Sequence, residues 1–468
     1  MSNNNNNNQK KKLRIAFLHP DLGLGGAERL VVDCAVGLVK HKHAVHMFTS
    51  HYDENRSFSE TREGLFEISV HGDWLPRHCC QFFHIFFAIL RNIWLAICVC
   101  CFYPTFDIFI CDQISICIPI LRMFSPGTKI LFYCHFPDQL LSKRTSIIKQ
   151  IYRMPFDLLE QVTTGMADQV VVNSEFTKGV YQKTFTLLKT IPGVLYPCVP
   201  LTNVDDLPDP TIDTKKETIF LSINRFERKK SINLCIEALI ELKNNILSDK
   251  EFKKSNIKLI IAGGYDKRVK ENVDHFNELE EIAKKGNVLQ YITWKRAFSD
   301  EEKPILLANA CAILYTPTNE HFGIVPIECM ASCKPVIACA SGGPLESVAN
   351  GKTGYLCEPN ASSFANAMLK FIKNKSLSKE MGVDGRKRVE QMFSRDSLAL
   401  KLNNICEDLS LLDDANACNN FCLFLIFVCS FICLITIVFC VYLLYLIYFD
   451  NEALMQMLPD VLLRKNGW

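Results

Sequence analysis

The chain has 468 residues and nearly balanced charge, with 52 lysine and arginine residues against 50 aspartate and glutamate residues. A single core rarely grows beyond about 300 residues, so this length predicts two globular domains with additional segments. The small net charge argues against a nucleic-acid-binding protein, whose surface carries clustered basic residues. Many of the 22 cysteines lie inside apolar runs, where cysteine acts as a small hydrophobic side chain. We therefore expect reduced thiols in a cytosolic setting rather than a disulfide framework.

Residues 1–12 form a polar tail of asparagine and lysine, for which we expect disorder. Beyond this tail, apolar strands alternate with helical patterns, which is typical of parallel sheets covered by helices. A stretch rich in proline and aspartate at 201–214 is typical of a linker between domains. The sequence therefore predicts an α/β fold with two doubly wound domains, at 13–200 and 215–412, that face each other across a cleft.

Two long apolar segments depart from this alternation. The segment 421–449 contains no charged residue and predicts one tilted transmembrane helix, followed by a tail at 450–468. The segment 79–106 contains Arg91 as its one charged residue and lies between strands that we assign to a single sheet. A membrane crossing there would separate those strands. We therefore expect an in-plane, membrane-associated helix with Arg91 reaching the surface, and a helix inside the domain core is the alternative.

The most informative residues are two carboxylates, Glu320 and Glu328, which are separated by seven residues. Between them lies a glycine turn and the start of a helix at Gly323, Ile324 and Val325. Unpaired backbone N–H groups at a helix N-terminus attract an anion such as a diphosphate. The pattern therefore suits a site that holds a sugar together with the ribose of its nucleotide carrier.

Further candidates lie at predicted strand ends, where parallel sheets bind ligands. Arg225 and Lys230 could clamp a diphosphate leaving group, although a solvated basic loop is the alternative. His135 could bind a sugar hydroxyl or stabilise developing charge. Gly25 and Gly26 allow close approach of the backbone to a ligand, but the GxGxxG spacing of a nicotinamide site is absent. Because the sequence contains neither a DxD nor an HExxH motif, we expect no metal cofactor.

Several strings of residues resemble glycosyltransferase family 4, and in particular its alpha-1,3/1,6-mannosyltransferases of dolichol-linked oligosaccharide assembly. These strings are HPDLG at 19–23, GGAER at 25–29, GDWLP at 72–76, FYCHFP at 132–137, TGMAD at 164–168 and NEHFGIVP at 319–326. The resemblance extends from about residue 13 to beyond residue 393. It implies the GT-B fold, in which two Rossmann-like domains face each other.

The resemblance also implies a reaction. Mannose would pass from GDP-mannose to a short dolichyl-diphosphate oligosaccharide, first in an alpha-1,3 and then in an alpha-1,6 linkage, with retained configuration and without a metal. The enzyme would work at the endoplasmic reticulum membrane with its catalytic domains on the cytosolic face. Other early mannosyltransferases of the pathway would be candidate partners, and nucleic acid would not.

Roles for the candidate residues follow from the same resemblance. Glu320 would contact the donor sugar, and Glu328 would bind the ribose hydroxyls. Arg225 and Lys230 would clamp the diphosphate, and His135 would contact a sugar near the reaction centre. The loop with Gly25 and Gly26 would face the phosphates and the acceptor.

Three alternatives stay open. The first is another glycosyltransferase of the same fold that uses a sugar nucleotide and a lipid acceptor. The second is a catalytically silent GT-B scaffold, although such a scaffold need not retain all four charged candidates. The third is a non-hydrolysing sugar-nucleotide epimerase. The substrate of such an enzyme is soluble, so long apolar segments that contact a membrane would make little sense.

Overall fold

A computed structural model of the chain describes residues 12–78, 84–141, 147–213 and 216–412, together with position 436. Position 436 apart, the predicted transmembrane helix at 421–449 and the tail at 450–468 lie outside the described residues. Each cysteine in the described ranges is a free thiol.

The first domain is built on seven strands. They are β1 (Arg14–His19), β2 (Ala44–Thr49), β3 (Glu67–Val70), β4 (Ile108–Asp112), β5 (Lys129–Cys134), β6 (Gln169–Val172) and β7 (Gly193–Val194). All neighbours pair in parallel, in the order β3-β2-β1-β4-β5-β6-β7. The helices of this domain are α1 (Gly26–Lys40), α2 (His84–Phe102), α3 (Ile118–Phe124), α4 (Ile147–Thr164) and α5 (Glu175–Thr184).

The second domain repeats the plan with six strands. They are β8 (Thr218–Ile223), β9 (Ile257–Gly263), β10 (Ile292–Arg296), β11 (Ala312–Tyr315), β12 (Val336–Cys339) and β13 (Gly354–Cys357). These strands are parallel in the order β10-β9-β8-β11-β12-β13. The helices are α6 (Asn233–Glu241), α7 (Asp249–Ser255), α8 (Lys270–Lys285), α9 (Glu302–Asn309), α10 (Ile324–Ala331), α11 (Pro344–Ser347), α12 (Ala361–Lys373), α13 (Ser376–Met392) and α14 (Arg395–Ser410).

Alternate side chains of each strand enter cores on opposite faces of the sheet. In β1, Ile15 and Phe17 belong to one cluster of buried residues, whereas Ala16 and Leu18 belong to another. The period of two is the geometry of a strand covered by helices on both faces. In each sheet the strand order reverses once, at β1/β4 and at β8/β11, and these reversal points define where ligands enter doubly wound sheets.

The last helix, α14, returns to the first domain and packs on α1. A Cβ at Gly37 of α1 would meet Ala399 of α14, so the two helices approach more closely than larger residues would allow. At the start of α14, Arg395 reaches the buried carboxylate of Asp33 at 2.7 Å and Glu60 at 2.8 Å. The chain therefore crosses between the domains twice, and its C-terminal helix completes the first domain.

Helix α2 corrects one prediction. The strands on either side of it do share one sheet, as expected. Arg91, however, is buried: it donates to the carbonyl oxygen of Ser50 at 2.8 Å and pairs with Asp73 at 3.2 Å. The prediction that Arg91 reaches the surface is wrong because the loops after β2 and β3 supply acceptors for its guanidinium inside the domain. Trp94 and Phe102 of the same helix are exposed.

Among the described residues, α2 is the one helix that is long and apolar enough to cross a membrane. Core helices of soluble proteins pass the same criterion, and Leu95 and Val99 of α2 are buried in the domain core.

Candidate active site

The centre of the site in the second domain is an ion pair between Lys230 and Glu320. Lys230 ends a short 3-10 turn after β8, and Glu320 lies in the loop after β11. Because β8 and β11 are neighbours at the reversal point, the two loops meet although they are distant in sequence. Thr316, which follows β11, donates to the carbonyl oxygen of Lys230 at 2.8 Å and ties the loops together. The side chains of Lys230 and Glu320 are 13% and 24% exposed, so the pair is accessible but largely shielded from water.

A glycine turn after β12 supports the Glu320 loop. The N–H of Gly343 donates to the carbonyl oxygen of Glu320 at 2.8 Å. A Cβ at Gly343 would collide with the backbone of Phe322, and one at Gly342 would collide with the backbone of Glu320. Gly342 also has φ of +64°, a conformation that favours glycine. The close backbone approach therefore holds the position of Glu320.

Helix α10 begins directly after this loop. Its N-cap residue is Gly323, with φ of +75°, and no side chain caps the helix. The first N–H groups, at Ile324 and Val325, therefore have no side-chain acceptor and are available to an anion. Further along the helix, the carboxylate of Glu328 lies 2.9 Å from Nζ of Lys303 on α9. The sequence analysis did not identify Lys303, because nothing local marks it as a partner of Glu328.

Arg225 has a different partner from Lys230. Its side chain is 63% exposed and pairs with Glu227 at 3.0 Å. The structure therefore brings Lys230 to Glu320 and leaves Arg225 in a separate ion pair on the rim of the same turn.

In the first domain, His135 follows β5 and is backed by two residues that the sequence analysis missed. Nε2 of His135 lies 3.0 Å from one carboxylate oxygen of Asp112, at the end of β4. The other oxygen lies 2.7 Å from Nδ1 of His19, at the end of β1. All three residues end adjacent strands, which is the signal that could have identified them. With Nε2 directed to Asp112, Nδ1 is the ring nitrogen of His135 that faces away from the carboxylate.

The electrostatics of this group favour a charged Asp112. Burial alone would raise the pKa of Asp112, but the charge of His19 and hydrogen bonds from His135 and His19 outweigh it and lower that pKa. Burial opposes the charge of His19, yet its pKa is raised because the carboxylate of Asp112 lies beside it. A buried negative charge therefore orients the ring of His135.

The two halves of the site meet directly. The rings of Phe136 and His321 stack with centroids 3.6 Å apart and planes inclined by 6°. Phe136 follows His135, and His321 follows Glu320, so the contact aligns the two candidate catalytic residues across the cleft. Burial lowers the pKa of His321, which favours the neutral ring in this stack.

Gly25 and Gly26 lie at the start of α1, where Gly25 is an N-cap residue without a side-chain cap. A polar cavity of about 260 Å³ adjoins Gly25, and its wall includes Glu28, Arg56 and Arg77. The loop therefore faces a small cavity with charges of both signs, which is suited to a hydroxyl-rich group.

A larger, mainly apolar cavity of about 560 Å³ lies between α2 and α4. It reaches the catalytic group, since His135, Phe136 and His321 form part of its wall. Glu160 lies in the same wall and accepts from the backbone N–H groups of Asp138 and Gln139 at 2.7 and 3.1 Å. Burial raises the pKa of Glu160 to about 7.

Two doubly wound sheets that face each other, with charged loops at the reversal point of each, define a glycosyltransferase of the GT-B fold. Two family models agree: "Glycosyltransferase Family 4" matches residues 24–202, and "Glycosyl transferases group 1" matches residues 205–388. The solved sucrose-phosphate synthase from Thermosynechococcus elongatus covers 85% of this chain and 99% of its own, with a TM-score of 0.64 and 20% identity. The glycosyltransferase WaaG superposes with a TM-score of 0.55 at 15% identity, over 84% of this chain and 99% of its own. These two structures establish the fold.

Sequence relatives are more specific. The human (Homo sapiens) alpha-1,3/1,6-mannosyltransferase ALG2 is 45% identical over 405 residues, covering 84% of this chain and 95% of the relative. The protein of the same name from Dictyostelium discoideum is 45% identical over 417 residues, covering 85% and 99%. The chain belongs to the alpha-1,3/1,6-mannosyltransferase family. The predictions of the GT-B fold and of a mannosyltransferase enzyme are thereby confirmed.

Proposed function

We propose that the chain transfers mannose from GDP-mannose to a short dolichyl-diphosphate oligosaccharide, adding first an alpha-1,3-linked and then an alpha-1,6-linked residue. The relatives are named for both linkages. The observation that carries the proposal is the ion pair of Lys230 and Glu320 beside the free N-terminus of α10, because it places a cation and a carboxylate where a sugar diphosphate needs both.

The donor would bind to the second domain. Its diphosphate takes the N–H groups at the start of α10 and the ammonium of Lys230, with Arg225 at the rim. The ribose hydroxyls bind the carboxylate of Glu328, and the mannose hydroxyls bind Glu320. These cations and N–H groups stabilise the departing diphosphate without a metal ion.

The transfer would retain the configuration of the mannose. The bond between mannose C1 and the β-phosphate oxygen breaks while the acceptor hydroxyl oxygen bonds to C1 on the same face. The hydroxyl proton passes to the leaving diphosphate, which Lys230 keeps in place. His135, oriented by Asp112, contacts the sugar at the reaction centre through its free ring nitrogen.

The acceptor would approach through the cavity between α2 and α4. This cavity extends from His135 to Ile85 and Ala88 of α2, the most apolar helix of the domain, which suits a ligand that joins a glycan to a lipid. The exposed Trp94 and Phe102 would lie against the endoplasmic reticulum membrane, with both domains on its cytosolic face.

The donor assignment is tested with Glu320→Ala and Lys230→Ala in purified, membrane-reconstituted enzyme. Labelled GDP-mannose and a synthetic lipid-linked trisaccharide are the substrates, and transfer should be lost in both variants while circular dichroism shows that each variant stays folded. Arg228→Ala is the matched control, because Arg228 lies in the same basic turn but pairs with Glu278 on the domain surface. Near-normal turnover in a Glu320 or Lys230 variant would remove that residue from the mechanism.

The acceptor assignment is tested by filling the cavity. Ala88→Phe should raise KM for the lipid-linked acceptor and leave KM for GDP-mannose unchanged, whereas Leu90→Phe, at a position of α2 outside the cavity wall, should change neither. In the same assay, transfer to an inositol phospholipid instead would favour the other lipid-acceptor transferase, and a wild-type enzyme that binds GDP but transfers nothing would favour the scaffold.

A further inference from the structure

We propose that Glu346 is a positioning residue, which holds the first domain against the Glu320 loop so that His135 and Glu320 share one active site. Glu346 lies on α11 in the second domain. Its carboxylate oxygens accept from the backbone N–H groups of Glu175 at 2.7 Å and Phe176 at 2.8 Å, the first two residues of α5 in the first domain. A carboxylate at a helix N-terminus satisfies unpaired donors and interacts favourably with the helix dipole.

The same end of α5 makes a second contact across the cleft. Ser174, the N-cap residue, donates to the carbonyl oxygen of His321 at 2.5 Å. Its oxygen also accepts from the N–H of Thr177 at 2.9 Å, so the helix already has an internal cap. Glu346 is therefore not required to cap the N-terminus of α5. Its two hydrogen bonds join separate domains at the loop that carries Glu320.

Within the second domain, Glu346 is rigidly connected to that loop. Arg388 donates to the carbonyl oxygens of Glu346 at 2.6 Å and Ser347 at 2.8 Å, which holds α11 in place. Gly343, immediately before α11, donates to the carbonyl oxygen of Glu320. A displacement of Glu346 relative to Glu320 would require these bonds to break.

Within the first domain, α5 is connected to His135. The residue before its N-cap, Asn173, donates through its side chain to the carbonyl oxygen of His135 at 3.0 Å. A continuous series of contacts therefore joins Glu320, Gly343, Glu346, α5 and His135. Glu346 is not in the wall of either cavity described above, and it acts on the reaction through the relative position of the two domains.

This inference rests on the proposed function, since the reaction requires groups from both domains, whereas donor binding requires the second domain alone. In Glu346→Gln, the amide oxygen still accepts a hydrogen bond, but the amide nitrogen does not. The variant therefore loses one of the two hydrogen bonds between the domains. A displacement of about 1 Å between reacting groups can lower a rate by about 10²-fold. We expect kcat to fall by about 10- to 100-fold, with an unchanged KM for GDP-mannose.

The matched control is Glu251→Gln. Glu251 also places its carboxylate at a helix N-terminus, in the capping box of α7 with Ser248, but both partners lie inside the second domain. It should lower thermal stability slightly and leave kcat unchanged. A loss of kcat in both variants would attribute the effect to general destabilisation and overturn the proposal.

Three measurements on the full-length enzyme complete the test. GDP binding by calorimetry should be equal in wild type and Glu346→Gln, and small-angle scattering should show a larger radius of gyration in the variant. Glu346→Asp, which keeps the charge on a shorter side chain, should recover part of kcat and serves as the second variant if the glutamine form does not fold. A kcat of Glu346→Gln within about twofold of wild type would overturn the inference while leaving the proposed function intact. A wild-type enzyme without transfer activity would instead overturn the proposed function.

Discussion

Gly343→Ala is the substitution that most directly tests whether the Glu320 loop must be held in one place. The added Cβ would collide with the backbone of Phe322, at its carbonyl and its Cα. Gly343 has φ of −55°, which alanine adopts without strain. The effect of the substitution is therefore a pure steric displacement of the loop that carries Glu320 away from the turn after β12.

The magnitude of the effect of Gly343→Ala depends on which of the colliding atoms can move aside. Both colliding segments are backbone, and the loop also stacks on Phe136 through His321, so the methyl group cannot be accommodated by a rotamer change. Insertion of a methyl group into a tightly packed contact costs about 1–3 kcal/mol of stability. A loop shift of about 1 Å at a reacting group lowers kcat by about 10²-fold.

The assay is mannose transfer from labelled GDP-mannose, together with urea unfolding of the same preparation. Gly179→Ala is the control: Gly179 lies inside α5, and its Cβ would meet nothing within 4 Å. That variant should gain about 0.5–1 kcal/mol from the helix preference of alanine over glycine and keep full activity. A Gly343→Ala enzyme with wild-type kcat would refute the requirement for a fixed loop.

Three further predictions concern the first domain. Gly26→Ala, whose Cβ meets nothing within 4 Å, should fold normally but raise KM for a substrate if the start of α1 faces a ligand, as steady-state kinetics would show. Glu160→Gln should flatten the pH dependence of stability. The pKa of about 7 in the folded protein exceeds the ordinary 4.5, so the wild type loses up to about 3 kcal/mol of unfolding free energy as pH rises between these values. Equal slopes of unfolding free energy against pH in the wild type and the variant would contradict this prediction. Asp112→Asn leaves His19 without its buried counter-charge and should destabilise the fold by about 3 kcal/mol and lower kcat, which denaturant unfolding and transfer assays measure.

The sequence predicted the fold well wherever a strand is central in its sheet. Strands such as β5 and β8 are buried at every position, and such continuous apolar runs are recognisable without a structure. Strands β3, β7 and β13, by contrast, lie toward the sheet edges and are short or partly exposed. Their side chains carry too little apolar pattern to distinguish a strand from a loop.

The error at Arg91 has the same origin as the residues missed in the site. An arginine in an apolar helix indicates only that its charge needs acceptors, and the acceptors in this protein are carbonyl and carboxylate oxygens near Ser50 and Asp73, distant in sequence. Likewise, the position of Glu328 on the helix that follows the Glu320 loop was visible in the sequence, but its partner Lys303 was not. Sequence patterns identify the edge of a sheet on which a side chain lies, whereas ion pairs depend on how loops from different strands meet.

The ion pairs of the site indicate how, on the proposed assignment, the donor is recognised as a whole. Glu320 is occupied by Lys230, and Glu328 is occupied by Lys303. A diphosphate competes for Lys230 and thereby releases Glu320 for the mannose hydroxyls, while the ribose competes with Lys303 for Glu328. A free sugar offers no anion to displace Lys230, and a nucleotide without its sugar leaves Glu320 without a partner. Recognition of the sugar and of the diphosphate is therefore coupled through one shared ion pair, which favours the intact sugar nucleotide over either of its parts.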